Sequence, residues 1–134
     1  MNVPVEPTYP WQDTLGFTVT GWGPGIAEIK LPIAAKHGNR YGIPHGGVLA
    51  SLLDTAMGFA GCYTGDPDRP QLAMTLSMTT NFLSVARGQT LIAHGRKTGG
   101  GAKTFFAEAT VTDDTGAVIA TATGVFRYRK GETT

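Results

Sequence analysis

At 134 residues the chain has the size of one ordinary domain and can bury a core. With 41% hydrophobic residues and a net charge of +1, it is neither disordered nor suited to gripping a polyanion. A single cysteine, Cys62, excludes an internal disulfide and fits a reducing compartment.

The first ten residues hold three prolines and are expected to wrap the surface. They lack the basic and apolar regions of a signal peptide, and no apolar run approaches the roughly 20 residues of a membrane span. A soluble, cytoplasmic protein is therefore expected, with one domain over 1–134 and neither internal repeats nor low-complexity segments. Residues 15–19 and 27–31 read as short strands joined by a turn at Gly21, Gly23, Pro24 and Gly25. Residues 32–44 form a polar loop carrying Lys36, His37, Asn39 and Arg40. A long helix follows over 48–63, ended by Gly65-Asp66-Pro67. Beyond Pro70 the period changes. Leu72, Met74, Leu76, Met78 and Phe82 alternate with Ala73, Thr75, Ser77, Thr79 and Asn81, which predicts a strand with one apolar and one polar face. Three further strands are expected over 91–98, 103–112 and 117–129, with turns at Gly99-Gly100-Gly101 and Asp113-Asp114-Thr115-Gly116. The fold class is α+β: two strands, one long helix, then four antiparallel strands. One helix is little cover for six strands, so the free face and edges invite a second subunit.

The helix is apolar nearly all round. Leu49, Leu52, Leu53, Ala56, Phe59, Ala60 and Tyr63 recur at spacings of three and four and mark the core-facing stripe. Asp54 lies elsewhere, among Gly47, Ala50, Ser51, Gly58 and Gly61. An acid at the centre of such a bare face is costly to bury and is read as functional. His45-Gly46-Gly47 at the helix start is, taken alone, more simply a turn. With Asp54 in view it becomes a set of backbone N–H donors for an oxygen that turns negative during reaction. Gly46 and Asp54 are eight residues apart, about 12 Å along one helix. A general base must lie within hydrogen-bond reach of its target. If both groups serve one carbonyl, Asp54 must come from a second copy of the chain, so a symmetric dimer with two composite sites is predicted.

Asn39, then His45-Gly46-Gly47, then an acid eight residues after the first glycine, resembles the hotdog-fold acyl-CoA thioesterases, in the branch typified by phenylacetate-pathway (PaaI-like) thioesterases. The segment from Thr75 to Gly88 is similar to that family's first long strand after the helix. The likeness runs over about 14–129. It implies a curved antiparallel sheet of five to six strands around one long central helix. It also implies hydrolysis of an aryl- or medium-chain acyl-CoA to free acid and coenzyme A, without metal or redox cofactor, by a dimer or a tetramer built as a dimer of dimers. By the same resemblance the Gly46 N–H polarises the thioester carbonyl, and the partner's Asp54 activates water or attacks directly. Asn39 positions the water or thioester, Thr75 helps hold the water, and His45 orients the loop or touches the sulfur. Two alternatives stay open: a non-catalytic acyl-CoA-binding module, and a hydroxyacyl-thioester dehydratase of the same fold.

Other candidates are weaker. Gly99 to Thr104 lacks the glycine directly before Lys103, and the helix after it, that a phosphate-binding P-loop requires. Arg96, Lys97 and Lys103 nevertheless cluster in sequence near that turn and are candidates for gripping coenzyme A phosphates. His37, His45 and His94 lack metal-ligand spacing. Cys62 reads as a core thiol without a base partner. No G-x-S-x-G supports a serine hydrolase. Trp11 and Trp22 are expected to pack rather than to recognise a ligand.

Overall fold

The computed structural model describes residues 6–130, so the first half of the proline-rich N-terminal segment lies outside the described residues. A short helix α1 (Pro10–Leu15) comes first. Proline at its start and Gly16 at φ 92° after its end explain its limits. Six residues are too few for a periodic signal in the sequence. Strands β1 (Thr18–Gly23) and β2 (Ile26–Pro32) form a hairpin. The loop and a 3₁₀ turn (Ala35–His37) lead into the long helix α2 (Gly46–Gly61). Strands β3 (Leu72–Phe82), β4 (Thr90–Gly100), β5 (Thr104–Asp113) and β6 (Val118–Arg129) complete a six-stranded antiparallel sheet ordered β1-β2-β4-β5-β6-β3. The sheet wraps α2, as expected of a hotdog fold. Among the described residues no helix is long and apolar enough to cross a membrane.

The helix sits deep because the strands beneath it carry small residues. Ala27, Gly95, Ala109 and Ala122 lie in register across β2, β4, β5 and β6. A Cβ on Gly95 would run into the carbonyl of Ala56. This row of small residues lets the helix backbone touch the strands. Leu49, Leu52, Leu53, Ala56 and Ala60 are buried as predicted, and Met57 joins them, while Phe59 and Tyr63 are only half-buried. Trp22 explains the last two. It stands in β1 rather than in a turn, donates from Nε1 to the Phe59 carbonyl at 2.7 Å, and meets both rings edge-on.

The predicted two-faced alternation of β3 does not run through the strand. A β-bulge lies between Thr75 and Ser77, with Leu76 as the extra residue. Before it, Ala73 and Thr75 face the helix; after it, Met78 and Phe82 do. Ser77 and Thr79 face the opposite side beside Phe106 and Glu108. Leu72, Met74 and Leu76, at 49%, 51% and 56% exposure, lie on the edge strand β3, which pairs with β6 on one side and, among the described residues, with no strand on the other.

At the end of the sheet Asp113 is buried rather than a solvated turn residue. Its carboxylate accepts from the Thr115 hydroxyl and N–H, and from the N–H groups of Arg87 and Gly88 at 2.9 and 3.0 Å. Those donors, the Thr115 hydroxyl first, hold its carboxyl well below the usual carboxylate range despite burial. It fastens the β3–β4 connection to the β5–β6 hairpin.

Candidate active site

The loop before α2 is built by two side chains that bond to backbone. His37 is buried; its Nδ1 accepts from Ala34 N–H at 2.9 Å and its Nε2 donates to the Leu15 carbonyl at 2.7 Å. Its own carbonyl accepts from His45 N–H, which fixes where the helix begins. Asn39 spends its side-chain oxygen on the N–H groups of Tyr41 (2.8 Å) and Ile43 (3.4 Å). Only its amide N–H groups remain for a ligand.

His45 caps the helix. Its Nδ1 accepts from Gly47 N–H at 2.7 Å, so the network assigns the ring proton to Nε2. Val48 and Leu49 N–H both donate to the His45 carbonyl, at 2.9 and 3.3 Å. A helix start leaves four N–H groups without intrahelical partners. Here three are satisfied. Among the described residues Gly46 N–H alone has no acceptor. The ring of Phe82 lies against Gly46, 3.3 Å from where a Cβ would stand.

Asp54 stands half-buried in the middle of α2. Thr75 Oγ1, from β3 of the same chain, donates to its Oδ1 at 2.6 Å. Both line a cavity of about 320 Å³ with Tyr9, Phe59 and Phe126. Burial holds the Tyr9 phenol above its ordinary range, against a hydrogen bond with Thr55, and the Asp54 charge adds to the rise. Tyr9 has no motif around it, and only its docking beside Asp54 reveals it. The small-residue face extends through Gly58 but not to Gly61, which is pressed against the Phe105 ring. His45 and Gly47 line a different cavity, of about 390 Å³, beside Trp11 and Lys36. Among the described residues Asp54 and the helix start thus line separate cavities.

The three candidate phosphate ligands do not converge. Neighbours on a strand point to opposite faces. Arg96 turns outward and pairs with Glu108, while Lys97 turns inward and donates to the Tyr128 hydroxyl at 3.1 Å. Lys103 lies in the β4–β5 turn, its carbonyl accepting from the Tyr128 N–H at 2.9 Å. Cys62 is buried, and that burial, with the charge of Glu6, pushes its thiol up to about 12, so it is no nucleophile.

A curved antiparallel sheet thus wraps one helix that carries a side-chain-anchored acid at its middle and a free amide at its start. Residues 41–120 match the Thioesterase superfamily. The chain belongs to that superfamily and is a thioester hydrolase. It is 35% identical over 99 residues to the esterase candidate PA0474 of Pseudomonas aeruginosa, covering 73% of this chain and 72% of that protein. Among solved structures, the conserved protein PA5202 of Pseudomonas aeruginosa superposes with a TM-score of 0.83 at 28% identity, over 91% of this chain and 95% of that one. A thioesterase family protein from Silicibacter pomeroyi gives 0.80 at 25%, over 92% and 91%. The fold is also that of the PaaI protein from the phenylacetic acid degradation operon of E. coli, with a TM-score of 0.79 at 23% identity over 92% and 87%.

Proposed function

We propose that this chain is an acyl-CoA thioesterase of the phenylacetate-pathway type, hydrolysing an aryl- or medium-chain acyl-CoA to free acid and coenzyme A. It works as a two-fold dimer, alone or as half of a tetramer, and needs no metal or redox cofactor. The Gly46 N–H of one protomer polarises the thioester carbonyl. The partner's Asp54, held by the partner's Thr75, takes a proton from water as that water attacks; the C–S bond then breaks and the proton passes to the departing thiolate. Direct attack by the carboxylate, followed by hydrolysis of the anhydride, uses the same geometry. His45 holds the loop, and the Asn39 amide directs its N–H groups at the water or the thioester.

The observation that carries this reading is the Gly46 N–H. It is the one donor of the helix start left without an acceptor among the described residues, and oxyanion stabilisation needs such a donor. The Thr75–Asp54 bond supports it by supplying an oriented acid.

Thiol release from a panel of acyl-CoA substrates is the test. Asp54→Asn is expected to abolish turnover while folding and assembly persist; undiminished rates on a cleaved substrate would defeat the assignment. Binding without turnover would mark a sensor, and loss of water without thiol release a dehydratase.

A further inference from the structure

A sheet that wraps one helix without closing leaves a seam. Its two edges are β1 and β3, and the cavity beside Asp54 lies between them. The floor is the small-residue face of α2, running from Asp54 past Gly58 to Cys62, eight residues or about 12 Å on. Trp22 of β1 stands on one side, and Ala73 and Thr75 of β3 on the other. The segment ahead of α1 adds Glu6 and Tyr9 to the lining. Tyr9 meets Thr55, and Glu6 lies close enough to Cys62 for its charge to act on that thiol. The segment therefore runs lengthwise over the seam, against the direction of the helix.

Walls and roof are held differently. Trp22 is fixed by its bond to the Phe59 carbonyl, and β3 by its ladder to β6. Among the described residues the backbone of 6–9 makes one backbone hydrogen bond, from Asp13 N–H to the Tyr9 carbonyl at 2.9 Å. Pro7 has no N–H to give. The Tyr9 side chain seats the roof: its hydroxyl bonds with Thr55, and its ring stands edge-on to the buried Phe17 at 6.1 Å. At the far end Glu6 is a carboxylate with no such seat. Burial, with no donor offsetting it among the described residues, holds its carboxyl above the usual range.

We infer that residues 6–9 roof the acyl site and that Glu6 is a specificity-determining residue, closing the seam with a carboxylate that an apolar acyl chain must stop short of. This rests on the thioesterase reading. An acyl carbonyl at Asp54 leaves about 12 Å of seam, the length of roughly eight to ten carbons. Each methylene buried along it strengthens binding about fourfold. A longer chain strips water from the Glu6 carboxylate and offers nothing in its place. Straight-chain acyl groups of medium length are thus selected over long ones.

The test is kcat/KM across a series from butanoyl-CoA to tetradecanoyl-CoA. In the wild type it should climb to about eight to ten carbons and then fall. Glu6→Gln, which keeps the bulk and removes the charge, and Glu6→Ala should each raise dodecanoyl-CoA about tenfold relative to butanoyl-CoA. Equal changes at both lengths, or a limit that stays in place, overturn the role of Glu6. Tyr9→Ala, which unseats the roof, should flatten the fall beyond ten carbons; a fall as steep as in the wild type overturns the roof. Straight-chain alkanols from hexanol to dodecanol probe the seam without turnover, read by tryptophan fluorescence because Trp22 lines it. A Glu6-dependent length limit for alkanols in a protein that cleaves no acyl-CoA would sink the hydrolase reading and leave the site standing. Asp54-dependent turnover with a length profile indifferent to Glu6 would do the reverse.

Discussion

At Gly46 the proposed functional group is the backbone N–H, so deleting a side chain cannot probe it. Proline can. His45 already has φ −65° and ψ 141°, the extended conformation a residue before proline requires, and Gly46 is the first helical residue, where proline is favoured. Gly46→Pro should keep the helix start and remove only the free N–H. Thiol release should fall about 10²–10³-fold with little change in melting temperature. Gly46→Ala, which retains the N–H and needs a small shift of the Phe82 ring, should keep most of the activity. An equal loss in both would assign the effect to crowding. Asp54 was legible at this scale because an acid in a nearly apolar helix demands an explanation. His37 was not. Its two bonds go to Leu15 and Ala34, and nothing in a polar loop sequence shows that a histidine will be drawn inside.

The helix works only as deep as its seat allows. Gly95→Ala would push a methyl group into the Ala56 carbonyl. Because the obstacle is backbone, the helix itself must move, and a loss of about 1–3 kcal/mol is expected from denaturant unfolding, with a fall in activity as Asp54 leaves Thr75. The apolar stripe of the helix was readable from its period. The row of small residues that receives it was not, since it is assembled from four strands whose register only the pairing fixes. The β3 bulge escaped for the same reason. Leu76 continues a perfect apolar alternation in sequence, and only the β6 partner leaves it unpaired. By contrast, the opposed directions of Arg96 and Lys97 followed from strand period alone and could have been read. Asp113 adds a pH dependence. Its carboxyl sits below its unfolded value, so its contribution is fully present above the unfolded pKa of about 4 and is lost as pH falls toward the folded one. Urea midpoints of wild type and Asp113→Asn should therefore differ most at pH 7 and begin to draw together below about pH 4, with most of the difference still present at pH 3.

At the scale of the whole molecule, the two groups of the proposed site open at different places on one chain. The helix start opens on the cavity beside Trp11, and Asp54 on the cavity beside Tyr9. The overall fold was legible because period changes and turn residues divide the chain cleanly into strands, helix and strands. That the helix start and Asp54 lie apart on one chain was legible too, from helix rise alone. What the chain could not disclose is the placement of residues remote in sequence, such as Tyr9 beside Asp54 and Phe82 beside Gly46, which only the tertiary fold brings there.

The distance along the helix from amide to acid has a genetic consequence. If each working centre borrows its acid from the neighbour, two dead proteins can rescue one another. Chains carrying Asp54→Ala, unfolded together with chains carrying Gly46→Pro and then renatured, should form hybrids in which one centre inherits both lesions and the other neither. Random reassortment would then restore roughly a quarter of the wild-type rate from two inactive parents, whereas centres contained within single chains would stay silent in every mixture.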